Sequence, residues 1–226
     1  MPGPAAGTRT SRLDWPTLLA AFEVAALLRC GAGPTARLPL PYVGPVPARR
    51  GPALVTDEQI AEFNQRPAAE RLVQLLTVLE IPARSVATTG GLRRRYDLHR
   101  VHVPGPAAAR LAGIGELAWR QGRDLLLGPG PTGVTAARHR RRPVLAAAAW
   151  RAALLAAGRH VRRHVLGVHV NDHDVAAVLV RGAHLLDAAA TLRGRRGCFL
   201  VSVAVGPDRE RILRGTELPV PADRAA

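Results

Sequence analysis

At 226 residues the chain can bury a sizeable core, and a hydrophobic content of 47% excludes a disordered polypeptide, although only 4% of it is aromatic. The formal net charge is +15 and all 32 basic residues are arginine. A chain without lysine has no Schiff-base chemistry and no phosphate-loop lysine. Its charge favours a polyanionic partner, nucleic acid first, an acidic protein or anionic membrane surface second.

Residues 1–13 read as a disordered arm, with no apolar core of a signal peptide in it. Asp14 suits an N-cap and Pro16 the first turn of a helix running through "TLLAAFEVAALLR" to "CGAGP". The proline- and glycine-rich stretch 36–57 predicts two short extended segments. Residues 57–81 read as helical, with Leu72, Leu75, Leu76 and Leu79 on one face. Residues 83–105 predict a β-hairpin turning at Thr88-Thr89-Gly90-Gly91. In its second arm Leu98, Arg100 and His102 share one face, and Asp97, His99, Val101 and Val103 the other.

A short helix follows over 106–119, then a basic connector over 120–142 that contains "GPGPTG" and "RHRRR". Lacking the Gly-Lys-Ser/Thr ending, "GPGPTG" is a linker and not a phosphate loop. Pro143 suits the first turn of a helix to Gly158, which Arg151 interrupts and which is too short to span a bilayer. The remaining chain reads as strand 163–170, helix 175–192, strand 197–205 and a short helix over 207–215. Cys30 and Cys198 form no CxxC pair and read as buried thiols of a cytoplasmic protein.

The two halves run in parallel. Each opens with a long small-residue helix ending in Ala-Gly, followed by extended segments, an amphipathic helix, more strand and a short helix. Ala32 and Gly33 in the first half match Ala157 and Gly158 in the second. Small residues at both ends suit two helices that pack closely on a pseudo-two-fold axis.

This pattern resembles the LAGLIDADG fold of homing endonucleases, and more specifically the N-terminal domain of the WhiA sporulation-regulator family. The residues that carry the resemblance are "EVAALLRCGAG" (23–33), "GGLRRRYDLHRVHVPGPAAARLAGI" (90–114) and "AAWRAALLAAG" (148–158). The resemblance implies an α+β fold of two pseudo-symmetric α-β-β-α-β-β-α halves packed through paired helices. The halves would span 14–119 and 143–217, joined by the connector 120–142 and followed by a tail, 218–226. The family places a helix-turn-helix after this region, and the expectation here is a chain that lacks it.

A LAGLIDADG nuclease carries a metal-binding carboxylate near the end of each paired helix. The resemblance puts Ala32 and Ala157 at those positions, which implies a non-catalytic protein with no metal or cofactor, as in the inactive WhiA domain. "HVNDHD", with His169, Asp172, His173 and Asp174, could ligate a metal, but its place at a strand-to-helix turn favours turn and N-cap roles. Ser11, Ser85 and Ser202 sit in no nucleophile elbow.

The expected function is therefore DNA binding or a transcription-associated role without catalysis. The candidate contacts are Arg93, Arg94, Arg95 and Arg100 on the hairpin, Arg138, Arg140, Arg141 and Arg142 on the connector, and Arg162, Arg163, Arg193, Arg195 and Arg196 in the second half. Contacts to phosphate from these residues would give affinity with little sequence preference. Duplex DNA is the expected partner, with a protein of the transcription machinery as a further one. An interaction scaffold for an acidic regulator and an enzyme of unrecognised family are the alternatives.

Overall fold

The computed structural model describes residues 12–31, 57–90, 96–128, 136–157, 160–162, 165–195 and 197–216. The described elements are, in order, α1 (Trp15–Cys30), β1 (Asp57–Phe63), α2 (Arg66–Val78), β2 (Arg84–Gly90), β3 (Tyr96–Pro104), α3 (Gly105–Leu127), α4 (Ala136–Ala156), β4 (His160–Arg162), β5 (Val165–Val170), α5 (His173–Leu185), β6 (Ala190–Arg195), β7 (Cys198–Ala204) and α6 (Pro207–Gly215). Most of the segment 36–57, expected to be extended, lies outside the described residues.

Helix α1 is apolar on every side, and such a helix belongs in the middle of a fold. From Ala20 to Leu28 every residue is buried. Its main neighbour is α4, whose Ala148, Ala149, Ala152 and Ala153 are also buried. The two long alanine-rich helices pair as the repeated endings suggested.

Each half then adds an antiparallel sheet, ordered β1-β3-β2 in the first and β4-β5-β7-β6 in the second. One face of each sheet is buried under helices. Ala61, Phe63, Val101 and Val103 point inward in the first, and Leu166, Val168, Val170, Val201 and Val203 in the second. All four leucines of the predicted α2 face are buried too. No helix among the described residues is long and apolar enough to cross a membrane.

Several predicted boundaries move. Asp57–Phe63, read as the start of a helix, is strand β1, paired with β3 from Asp57↔Pro104 to Phe63↔His99. Buried Ala61 and Phe63 alternate with Ile60 and Glu62, a two-residue period that only pairing with β3 makes decisive. Thr88, Thr89 and Gly90 belong to β2 and pair with Leu98, Asp97 and Tyr96, so they are not the turn; Gly91 lies outside the described residues. The connector is largely helical: α3 continues to Leu127 and α4 begins at Ala136. Pro143 consequently lies inside α4 and not in its first turn. It cannot donate the backbone bond expected of that position, and the loss of one bond does not end so long a helix.

The helix expected over 175–192 stops at Leu185, and Ala190–Arg195 is strand β6. The stop is a Schellman turn. Asp187 adopts φ 56°, Ala188 N–H donates to Ala183 O at 2.9 Å and Asp187 N–H to His184 O at 3.3 Å. Helix α2 ends the same way: Glu80 adopts φ 56°, Ile81 N–H donates to Leu76 O at 2.9 Å and Glu80 N–H to Thr77 O at 3.0 Å. Two matching turns built on non-glycine residues mark the duplication at the level of backbone geometry. Glutamate tolerates the left-handed region less well than aspartate. Glu80→Gly should therefore raise stability by about 0.5–1 kcal/mol, a rise in melting temperature of roughly 1–4 °C. Asp187→Gly should gain less, and thermal unfolding of the two variants measures both.

Candidate nucleic-acid interface

The uncovered face of the first sheet presents polar side chains of its strands, and that of the second mixes polar with apolar ones. On the first, Arg100 of β3 stands between Glu62 of β1 and Val86 of β2. His102 stands between Gln59 and Arg84. Arg100 Nε donates to Glu62 Oε2 at 2.7 Å, and Arg84 Nη2 meets Asp57 Oδ2 at 2.7 Å. Toward the hairpin end, on the side of the sheet opposite Arg100, the Thr89 hydroxyl donates to Asp97.

On the second sheet the open face carries Val165, Gly167 and His169 of β5, Leu200, Ser202 and Ala204 of β7, and Thr191 and Arg193 of β6. These residues and Asp208 line a concavity of about 460 Å³. The Thr191 and Ser202 hydroxyls bond at 2.9 Å. Asp208 accepts from Arg211 at 2.6 Å and from the Ala189 N–H at 3.2 Å. Arg193 is exposed and forms no ion pair among the described residues.

Helices α1 and α4 pack against each other. Ala157 follows the last turn of α4, half-buried, its N–H bonded to Ala153 O at 3.0 Å. Gly31 caps α1, and a β-carbon there would lie 3.4 Å from both Leu27 O and the Phe63 ring, an ordinary contact distance. Ala32, Gly33 and Gly158 lie outside the described residues.

No protein-family model matches the chain, and no curated protein does. Solved structures do. The N-terminal LAGLIDADG domain of DUF199/WhiA aligns over 97% of both chains with a TM-score of 0.55 at 10% identity. Full-length DUF199/WhiA from Thermatoga maritima aligns over 92% of this chain with a TM-score of 0.52 at 11% identity, and the chain spans 58% of its length. The structure of I-DmoI in complex with DNA and Mn aligns over 91% of this chain and 100% of that one, with a TM-score of 0.52 at 10% identity. The chain has the LAGLIDADG fold. It is the fold of the WhiA N-terminal domain as well as of I-DmoI, reached with about one residue in ten identical.

On this LAGLIDADG frame the candidate arginines separate. Arg140 and Arg141 are exposed near the start of α4, with the Arg141 guanidinium 4.9 Å from the centre of the Trp15 ring. Arg142, expected beside them as a phosphate contact, is instead buried. Its Nη2 donates to Leu126 O at 2.9 Å and Gly128 O at 3.2 Å, capping the carbonyl end of α3. Helix-end carbonyls carry partial negative charge, which explains why a cation is held there. Arg138 lies in α4, Arg162 in β4 and Arg195 in β6. Arg93, Arg94, Arg95, Arg163 and Arg196 lie outside the described residues.

The "HVNDHD" cluster divides into local roles. Asp172 caps α5, accepting from the N–H groups of Asp174 at 2.8 Å and Val175 at 3.3 Å. Its second oxygen meets Arg29 at 3.3 Å, and Asp174 meets Arg123 at 2.6 Å. His173 packs edge-on against Phe199, while His169 lies on the open face. Among the described residues no three His, Cys, Asp or Glu side chains are grouped to hold a metal ion. Burial, and then the charge of Asp172, pushes the Cys30 thiol up to about 12, which keeps it protonated and unreactive.

Two arrangements escaped the sequence reading. Arg29 binds Glu116 at 2.7 Å and stacks 4.8 Å from the Trp119 ring, tying α1 to α3. Glu23, buried in α1, accepts two bonds each from Arg71 of α2 and Arg151 of α4 at 2.8–2.9 Å. A single acid in the apolar run "TLLAAFEVAALLRC" was the available signal, because a buried carboxylate requires cationic partners.

Proposed function

We propose that the protein is a non-catalytic DNA-binding protein with a role in transcription, working in the cytoplasm. The observation that carries this reading is the methyl side chain of Ala157 at the end of a paired helix, in a strongly cationic LAGLIDADG fold. An alanine side chain there offers no carboxylate to a divalent ion, which supports a surface for DNA without the means to cut it. Its sequence counterpart Ala32 supports the same conclusion. That I-DmoI was solved with DNA supports a duplex as the ligand of the open sheet faces.

Fluorescence anisotropy with a random duplex, with magnesium present and absent, tests the proposal. Binding should be strong at 50 mM salt. It should weaken by about 10³–10⁵ at 200 mM if six to ten phosphates are held, and the duplex should stay intact. Absence of binding at 50 mM salt, or cleavage with magnesium, would refute it.

A second reading, a scaffold for an acidic regulatory protein, is favoured by a groove of about 640 Å³ on the helical side. It is lined by Pro67, Arg71, Val144, Arg151, Leu186 and Thr216 from both halves.

A further inference from the structure

Among the described residues the two open sheet faces differ in charge. Strand β1, which precedes α2, places two acids, Asp57 and Glu62, on the open face, and a third, Glu58, opposite inward-pointing Val103. Strand β5, at the corresponding place before α5, is "VLGVHV" and contains none. In the first sheet β1 sends Glu62 to Arg100 and Asp57 to Arg84, each at 2.7 Å. Two guanidiniums therefore face two carboxylates, and the body of that face carries no net charge from these four groups.

In the second sheet the carboxylate lining the open face is Asp208, already held by Arg211 and the Ala189 N–H. Arg193 stands opposite Leu200 with no described carboxylate in ion-pair range. A phosphate that approaches Arg193 meets a cation. A phosphate that approaches Arg100 meets a guanidinium already neutralised and, beside it, a carboxylate of its own sign.

We propose that a duplex is gripped chiefly through the second sheet, because Glu62 and Asp57 withhold Arg100 and Arg84 of the first sheet from phosphate. The inference rests on the DNA-binding reading above and assigns its working face. Affinity for a polyanion falls with salt in proportion to the phosphates neutralised. Arg193 should count in that slope and Arg100 should not. Glu62 then acts as a restraint on binding, since its removal frees a guanidinium already aimed along the same sheet.

The test measures duplex binding by anisotropy across a salt series for the full chain and four variants. Arg193→Ala should make the logarithmic salt slope shallower by about 0.9, and Arg100→Ala should leave it unchanged. Glu62→Gln should steepen it by about 0.9 and tighten binding at low salt. Glu70→Gln supplies the control. It makes the same change in net charge on α2, where Glu70 pairs with Arg66 on the helical side, and should leave the slope as it was.

If Arg100→Ala flattens the slope as much as Arg193→Ala, or Glu62→Gln changes nothing, the proposal is wrong while DNA binding stands. An equal steepening by Glu70→Gln also overturns it, by making net charge the cause. If the unaltered protein does not bind at low salt, the DNA-binding reading fails and takes the proposal with it.

Discussion

Glu23→Ala should destabilise the fold by about 3–5 kcal/mol, seen as a fall of roughly 6–20 °C in melting temperature. The Glu23 side chain is 1% exposed and joins Arg71 and Arg151, so its loss takes the shared carboxylate from two half-buried guanidiniums. The bonds cross from α1 to α2 and to α4, so the damage falls on the junction of the two halves. Replacing all three residues by apolar side chains of similar size should cost much less, because no unpaired charge then remains. A drop no larger in Glu23→Ala than in that triple variant would show that the ion cluster is dispensable.

The same carboxylate gives stability a pH dependence. Burial alone would raise its pKa, but hydrogen bonds from Arg151 and Arg71, with their charges, outweigh burial and hold it below the ordinary 4.5. A group whose folded pKa is depressed stabilises the fold above its unfolded pKa and loses that contribution as pH falls through the folded value. Its part should be complete above about pH 4.5 and fade below it. Urea midpoints measured at neutral pH and below pH 4 should fall more steeply for the natural chain than for Glu23→Gln. Parallel pH profiles would contradict this assignment.

Trp150→Ala should cost about 3–5 kcal/mol, the range for truncating a large buried ring. Trp150 is fully buried on α4 and its indole N–H donates to Leu179 O of α5 at 2.9 Å. The ring packs against Gly182, where a β-carbon would stand in ordinary contact, 3.4 Å from both Trp150 Cδ1 and Ala146 Cβ. Trp150→Phe keeps most of the volume and should cost markedly less. Equilibrium denaturation separates the two, and a loss under about 1 kcal/mol for Trp150→Ala would mean that the α4–α5 contact closes over the gap.

Much of the architecture was readable because it is local. Helix α1 declares its burial by being apolar on every side, α2 shows a leucine stripe, and Asp172 sits at a strand-to-helix turn where aspartate caps. The repeated Ala-Gly endings and similar element order pointed to a duplicated fold with paired helices. Strands β1 and β6 were misread for a common reason. Asp57–Phe63 and Ala190–Arg195 adjoin strong helices, and a short segment becomes strand only when a partner arrives from far along the chain.

The chain alone determined the apolar run of α1, the leucine stripe of α2, the cationic excess and the absence of carboxylates at Ala32 and Ala157, since these follow from residue identity and short-range periodicity. Tertiary structure decided which arginines are open to a ligand. Arg100 is paired because the β1–β3 register brings Glu62 to it from 38 positions away. Arg142 is buried because α3 ends beside it, and Glu23 is held by Arg151 from 128 positions away. Ion pairing depends on separations of a few ångströms, and only the folded backbone sets distances of that size between residues so remote in sequence.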